Sequence, residues 1–433
     1  MPRASSTLLD RGERTLMFDG ESASSPQHRR EDEHVTWDDR ERNLPFAPRH
    51  WPVHRKSEEP ASGLFWPGRA MSIITACLLT VVFVFVTISS AKKNLIVDTD
   101  LFSDCDDAAA LLLAATSPEV NLLGVNINSQ SSYSVLAASA ILNHYDHAQV
   151  PVGARRPLND VPFFDNWAER AGEFASKLAT YWSKSISDAE EAWDPVDLYR
   201  KLLSEAEDDS VTIASIGFLH NLSGLLNSTA DARSPLSGPE LVETKVKELV
   251  VMGGDYPNGF EYNFWGDDPY QTAHVIHNWT SPIVYAGFKL GGSVRSGGPL
   301  MADGPKTDPV RAAYILYTYY QPQWSFDPVA MLYAVGGLDE YFKFGNEYGY
   351  NTITLYGEGK CNGCNAWVHD KNVTNQHWLD VIVSHDKLGE DLDRRYLQGA
   401  RSSKRSSDPI GILPKFGDCR VEQASKPPDR LEL

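Results

Sequence analysis

The stretch NLIVDTDLFSDCDDAAALLLAA, residues 94–115, constrains this chain more than any other. It places Asp98, Asp100, Asp104, Asp106 and Asp107 within ten positions. The run before them, NLIV, is apolar at successive positions, as expected of a strand buried on both faces. The run after them is rich in Ala and Leu and predicts a buried helix. A two-sided strand running straight into a helix is half of a βαβ unit. The carboxylates then sit at the carboxyl end of a parallel strand, where open α/β sheets bind their ligands.

The same alternation continues downstream. VNLLGVNINS, VPVGA, VTIASIG, VKELVVMGG, SPIVYAGF and YNTITLYGEG read as strands, and YSVLAASAILNHY as a helix. This predicts an α/β fold with an open, mostly parallel, Rossmann-like sheet and flanking helices over residues 92–400. Two more polar segments follow apolar runs: MGGDYPNGFEYNFWGDDP, and QWSFDPVAMLYAV with Asp327 ahead of a helix. They are expected to meet the Asp cluster at one rim of the sheet.

The ends of the chain differ from its middle. Residues 1–70 are charge-mixed and Pro-rich and read as disordered, and residues 401–433 as a weakly ordered tail. Ser72 to Ile88 is uncharged and short for a membrane span. It reads either as a signal anchor or, if Met71 is the start, as a signal peptide cleaved after Ala91. The short tether before Leu95 favours cleavage. Either way the main domain is expected to be secreted, or anchored on the lumenal or extracellular side. Sequons at Asn221, Asn227, Asn278 and Asn372 agree. CNGC at 361–364 is either a tight disulfide or half a metal site, and a pairing with Cys419 is a further alternative. A net charge of −18 argues against a nucleic-acid partner.

Five clustered acids repel one another, and a hard divalent cation is the simplest compensation. Ca²⁺ takes carboxylate and carbonyl oxygens in flexible geometry. The bland alternative, a capped helix start with surface acids, explains a single Asp but not five after a buried strand.

The stretch VDTDLFSDCDDAAALLLA resembles the amino-terminal signature of the inosine-uridine-preferring nucleoside hydrolases, with a loop two residues longer than usual. IASIGFLHNL, VMGGDYPNGFEYNFWGDDPYQTAHVI and SFDPVAMLYAV resemble later segments of that family, in order. The resemblance implies Ca²⁺-dependent hydrolysis of the N-glycosidic bond of ribonucleosides, and a homo-oligomer. It implies Asp100, Asp107, Asp327 and the backbone carbonyl of Ile216 as metal ligands, with Asp100 also the general base. Asp106, Asn128, Asn258, Glu261, Asn263 and Asp327 would hold the sugar, Asn128 and Asn258 being matched across gaps. For Asn258 a plain turn role competes, because YPNG is a turn sequence.

The late His of the family, its leaving-group acid, is Phe326 here. Phe cannot donate a proton, though it can stack on a base. His369, His377 and Tyr319 are the remaining polar candidates for that acid, each with an ordinary structural role as the simpler reading. Asp268 reads as a helix cap, Asp98 as a loop anchor, and Asp104 has no assigned role. Two other readings stand beside the hydrolase. One is a calcium-dependent nucleoside- or sugar-binding protein without turnover. The other is a haloacid-dehalogenase-type phosphatase with Asp98 as nucleophile, which leaves Asp106, Asp107 and EYNF unexplained.

Overall fold

The computed structural model describes residues 92–164, 172–356 and 361–403. The expected disordered segment, the apolar stretch 72–88, Cys77, Cys419 and nearly all of the carboxyl tail lie outside these. Among the described residues no helix is long and apolar enough to cross a membrane.

Among the described residues thirteen strands run β1 Lys93–Thr99, β2 Val120–Ile127, β3 Val152–Ala154, β4 Val211–Ile216, β5 Val246–Met252, β6 Asn258–Gly259, β7 Ile283–Ala286, β8 Arg295–Ser296, β9 Gln323–Trp324, β10 Phe342–Phe344, β11 Tyr350–Thr354, β12 Cys364–Val368 and β13 Gln376–Val381. Eight of them form the main sheet, in the order β10-β13-β7-β5-β4-β1-β2-β3. Every pairing in it is parallel except that of β10 with β13. The predicted parallel α/β sheet is therefore present.

Side-chain alternation along the strands supplies two cores. Leu95, Val97, Ala214, Ile216, Val250 and Met252 pack on one face. Ile96, Val211, Ile213, Leu249 and Val251 pack on the other. Each buried Leu, Ile, Val or Met among them contributes about 1.5–3 kcal/mol relative to exposure, which explains the apolar runs LIV of β1 and LVVM of β5. Helix Asp106–Thr116 lies on the first face and is buried at ten of its eleven residues, so its Ala and Leu serve packing on every side.

Strand order locates the site. From β1 the chain adds β2 and β3 on one side, then returns to place β4 on the other. The connections after β1 and β4 therefore diverge, leaving a crevice at their carboxyl ends. Asp98 and Asp100 lie there, beside Ser215 and Ile216 in register with Asp98 and Thr99.

One expectation fails. YNTITLYGEG does not join the main sheet: β11 pairs antiparallel with β12, which pairs with β6 in a separate small sheet. The place beside β7 belongs instead to β13, with β10 at the edge; the half-polar sequence of β13, QHWLDV, is buried only at Gln376 and Leu379 and gives no continuous apolar run to read.

Candidate active site

The cluster is built by two helix starts facing one another. Asp106 and Asp107 occupy the first turn of helix Asp106–Thr116, and Asp327 the first turn of helix Phe326–Gly336. The Asp327 backbone N–H donates to Asp106 Oδ2 at 3.1 Å. The Thr99 hydroxyl donates to Asp107 Oδ1, and the Ser103 hydroxyl to Asp100 Oδ2 at 3.0 Å. Asp100, Asp106, Asp107 and Asp327 are all at most 4% exposed.

Asp104, Asp106, Asp107 and Asp327 each offer a carboxylate oxygen, and these oxygens lie within 4.8 Å of one another. Two ionised groups at that distance repel by about 3.5 kcal/mol at an effective dielectric of about 20. The two helix starts offset only about 0.3–1 kcal/mol each. Protons or a cation must supply the difference. Burial, then mutual repulsion, pushes Asp106, Asp107 and Asp327 well above the ordinary carboxylate range. Burial and the neighbouring Asp104 push Asp100 up to about 7. Asp106 Oδ1 and Asp107 Oδ2 are buried without any hydrogen-bond partner. Orphaned carboxylate oxygens facing one another fit a hard divalent cation such as Ca²⁺.

This grouping differs from the expected ligand set. The extra acid of the long loop, Asp104, enters it, while Asp100 stands beside it and acts on Asp107 and Asp327 through charge. Ile216 ends β4, and the glycine after it seals the border of the site. A Cβ at Gly217 would lie 2.7 Å from Asp100 Oδ1 and 2.8 Å from Asn128 Nδ2, so the Ile216–Gly217 peptide reaches a place no larger residue could.

Asn128 is fully buried in the same crevice. Its Nδ2 donates to Asp98 Oδ1 at 2.6 Å, and its Oδ1 accepts from Phe218 N–H at 3.1 Å. Asp98 is a hub: Tyr199 donates to it at 2.7 Å and Asn221 at 3.2 Å. Burial raises its pKa to about 7 against these hydrogen bonds. Asp98 was read as an anchor of its own loop; its partners instead lie at Asn128 and on the helices that carry Tyr199 and Asn221. Tyr199 and Asn221 were not foreseen. Asn221 is 1% exposed, so its sequon is closed in the folded domain, whereas Asn227, Asn278 and Asn372 are exposed.

Glu261 is 4% exposed and accepts from Asn263 N–H at 2.9 Å and Gly254 N–H at 3.0 Å. Burial, opposed by these bonds and reinforced by the charge of Asp100, raises its pKa to about 7. Asn263 donates to the Met252 carbonyl at 3.2 Å. Asn258 departs from expectation. It is exposed in β6 opposite Ala366, and among the described residues no hydrogen bond joins it to the carboxylates. The turn chemistry of YPNG and the pull of the small sheet explain this placement.

Aromatic rings border the crevice on two sides. Phe218 packs on Tyr262 at 5.6 Å, and Tyr262 on Trp265 at 5.2 Å. Phe326, next to Asp327, stacks on Phe288 at 5.2 Å. The polar candidates for a leaving-group acid have their contacts elsewhere. His377 stacks on Phe344, His369 meets Tyr348 edge-on, and Tyr319 is 59% exposed at a helix end. Asp268 caps helix Pro269–Asn278 through Tyr270 N–H. Cys361 and Cys364 form a disulfide, so CNGC is not half of a zinc site, and Cys105 is a buried free thiol.

Comparison with known proteins points to one family. A pyrimidine-specific ribonucleoside hydrolase RihA of Enterobacter sp. (strain 638) is 32% identical over 205 residues, 43% of this chain and 59% of that protein. Its counterpart in Escherichia coli (strain SMS-3-5 / SECEC) is 30% identical over the same shares. The chain thus spans about three fifths of the length of these curated relatives. Among solved structures, the plant nucleoside hydrolase PpNRh1 superposes with a TM-score of 0.54 at 20% identity, covering 70% of this chain and 99% of that one. A purine-preferring ribonucleoside hydrolase from Gardnerella vaginalis gives 0.54 at 18%, covering 71% and 99%. These two establish the fold. Residues 95–386 match the inosine-uridine preferring nucleoside hydrolase family along most of the described domain, and the chain belongs to that family.

Proposed function

We propose that this chain hydrolyses the N-glycosidic bond of ribonucleosides, releasing base and ribose, with Ca²⁺ bound at Asp104, Asp106, Asp107 and Asp327 beside Asp100. The observation that carries the reading is the pair of orphaned, buried oxygens on Asp106 and Asp107 within a crevice that also holds Asn128 and Glu261. A bound divalent cation lowers the pKa of water and so supplies a nucleophile at neutral pH.

The side chains do the rest. Asp100, whose Oδ2 accepts from the Ser103 hydroxyl, accepts the proton of the attacking water. Asn128, Asp106, Glu261 and Asn263 take sugar hydroxyls. The surrounding carboxylates stabilise the positive charge that develops at the anomeric carbon in an oxocarbenium-like transition state. The apolar walls formed by Phe218, Tyr262, Phe288 and Phe326 suit a planar base. Three exposed sequons and the Cys361–Cys364 disulfide support a lumenal or extracellular setting.

The test is release of free ribose from inosine, adenosine, guanosine, uridine and cytidine, with Ca²⁺ and with chelator. Metal-dependent release from any of them supports the reading. Nucleoside binding without release would favour the second reading, a binding protein, to which Phe326 points because it cannot protonate a leaving base.

Two variants refine the assignment. Asp104→Asn keeps the shape of the loop and removes one charge from the cluster. Titration calorimetry should show Ca²⁺ affinity lower by roughly 10-fold, the scale on which groups around a metal act; unchanged affinity would remove Asp104 from the coordination set. Phe326→Ala removes a stacking face. A base–aromatic stack contributes about 1–3 kcal/mol, so KM should rise roughly 10-fold for the preferred nucleoside, and an unchanged KM would place the base elsewhere.

A further inference from the structure

Glu261 and Asn263 reach the crevice from a segment with little structure of its own. Helix Tyr262–Trp265 has four residues and β6 has two. One helical turn is not stable alone, so something must hold it.

The small sheet does. Asn365, on β12, is 2% exposed, and its carboxamide grips both backbone groups of Asp255. Its Oδ1 accepts from Asp255 N–H at 2.9 Å and its Nδ2 donates to the Asp255 carbonyl at 2.9 Å. Trp367 N–H donates to the Pro257 carbonyl at 2.8 Å. Asn365 and Ala366 pair with Gly259 and Asn258. β12 therefore stitches the arm from Asp255 to Gly259, immediately ahead of Glu261.

At the start of β12 the disulfide closes a ring of four residues, Cys361 to Cys364. Gly363 sits in that ring with φ of 89°, a backbone shape natural to glycine. A Cβ on it would lie 2.6 Å from Trp265 Cβ and 3.2 Å from the Phe264 carbonyl oxygen. At Gly363 the ring thus packs directly against the short helix. Its own shape is pinned by Gly363 N–H donating to the Thr354 carbonyl at 2.7 Å and Tyr356 N–H donating to Asn362 Oδ1 at 3.1 Å. No contact described for this hairpin reaches Asp104, Asp106, Asp107 or Asp327.

We propose that the Cys361–Cys364 disulfide is a positioning element: it shapes the tip of β12 against Trp265 and so holds Glu261 and Asn263 in place for the sugar. The inference rests on the hydrolase reading above. Both sulfurs belong to half-buried residues, within reach of a small dithiol. Two-electron reduction breaks the S–S bond and leaves two thiols, while the dithiol closes to its own disulfide.

The experiment compares oxidised protein, protein reduced with dithiothreitol, and the double variant Cys361→Ser/Cys364→Ser. Reduction is verified by thiol labelling. KM for the preferred nucleoside should rise roughly 10-fold in the last two, since sub-ångström misplacement of binding groups acts on that scale. The turnover number and Ca²⁺ affinity by calorimetry should change less than about 3-fold. Reoxidation should restore the reduced protein and leave the double variant unchanged. Tryptophan emission should shift on reduction, and the shift should vanish in Trp265→Phe. An unchanged KM with verified reduction overturns the proposal, and so does a parallel loss of Ca²⁺ affinity, which would mark general loosening. If the oxidised protein releases no ribose from any nucleoside, the hydrolase reading has failed, and the Trp265-dependent shift still decides whether the ring clamps the helix.

Discussion

Asp100→Ala should abolish ribose release, lowering kcat by roughly 10³-fold or more. General-base catalysis contributes about 10²–10⁴-fold, and Asp100 also lies against the clustered carboxylates, where its charge helps to push the pKa of Asp107 and Asp327 up. Asp100→Asn sharpens the test because it keeps size and one acceptor oxygen while removing the base. Its kcat should fall nearly as far, with KM within a few-fold of the parent and the Ser103 contact preserved. Titration calorimetry on both variants should still show Ca²⁺ binding, because four other carboxylates remain grouped. Residual activity above about a tenth of the parent in Asp100→Asn would assign the proton to another acceptor, and Glu261 would then be the first to examine.

Chelation should stop turnover and also make stability fall as pH rises. Without a cation, Asp98, Asp100 and Glu261 have pKa values of about 7 in the folded state, each raised chiefly by burial. In the unfolded chain they return to about 4. The folded state therefore binds more protons between these values. The stabilisation is complete below pH ~4 and is lost as pH rises through ~7. Melting in chelator should accordingly occur at least ~5 °C lower at pH 8 than at pH 5. Ca²⁺ favours the ionised forms and should remove that difference. At a free concentration 100 times its Kd it adds about 2.7 kcal/mol. Scanning calorimetry at the two pH values, with and without chelator, measures all four cases. A melting temperature in chelator that is flat or rises between pH 5 and pH 8 would contradict the picture of buried, unpaired carboxylates.

Much of this was legible because it was local. β1, the Asp cluster and the helix after it are contiguous, and their order alone places five acids at a strand end. Parallel strands buried on both faces announce themselves as apolar runs, hence the correct α/β sheet. What escaped was decided by distant parts of the chain. Tyr199 reaches Asp98 from 101 residues away, and Asn221 from 123; nothing near Tyr199 marks it, and Asn221 stood out only as a sequon and as part of IASIGFLHNL, not as a partner of Asp98. Gly217 is an ordinary glycine until Asp100 and Asn128 are folded around it. Asp104 looked redundant in one dimension and becomes a neighbour of Asp327 in three. β11 was misassigned because a strand in a small satellite sheet carries the same β-branched signature as one in the main sheet.

The buried carboxamide of Asn221 has a temporal consequence. Its Nδ2 is committed to Asp98 at the heart of the fold. A saccharide on that nitrogen would prevent the junction between β1 and β4 from closing. In any compartment that attaches N-linked glycans, folding and modification therefore race for the same atom. Chains that close first keep a bare Asn221 and an intact hub. Chains modified first are marked, covalently, as unable to complete the site. The exposed asparagines Asn227, Asn278 and Asn372 run no such race, so occupancy at Asn221 relative to theirs would serve as a clock for how fast this domain folds.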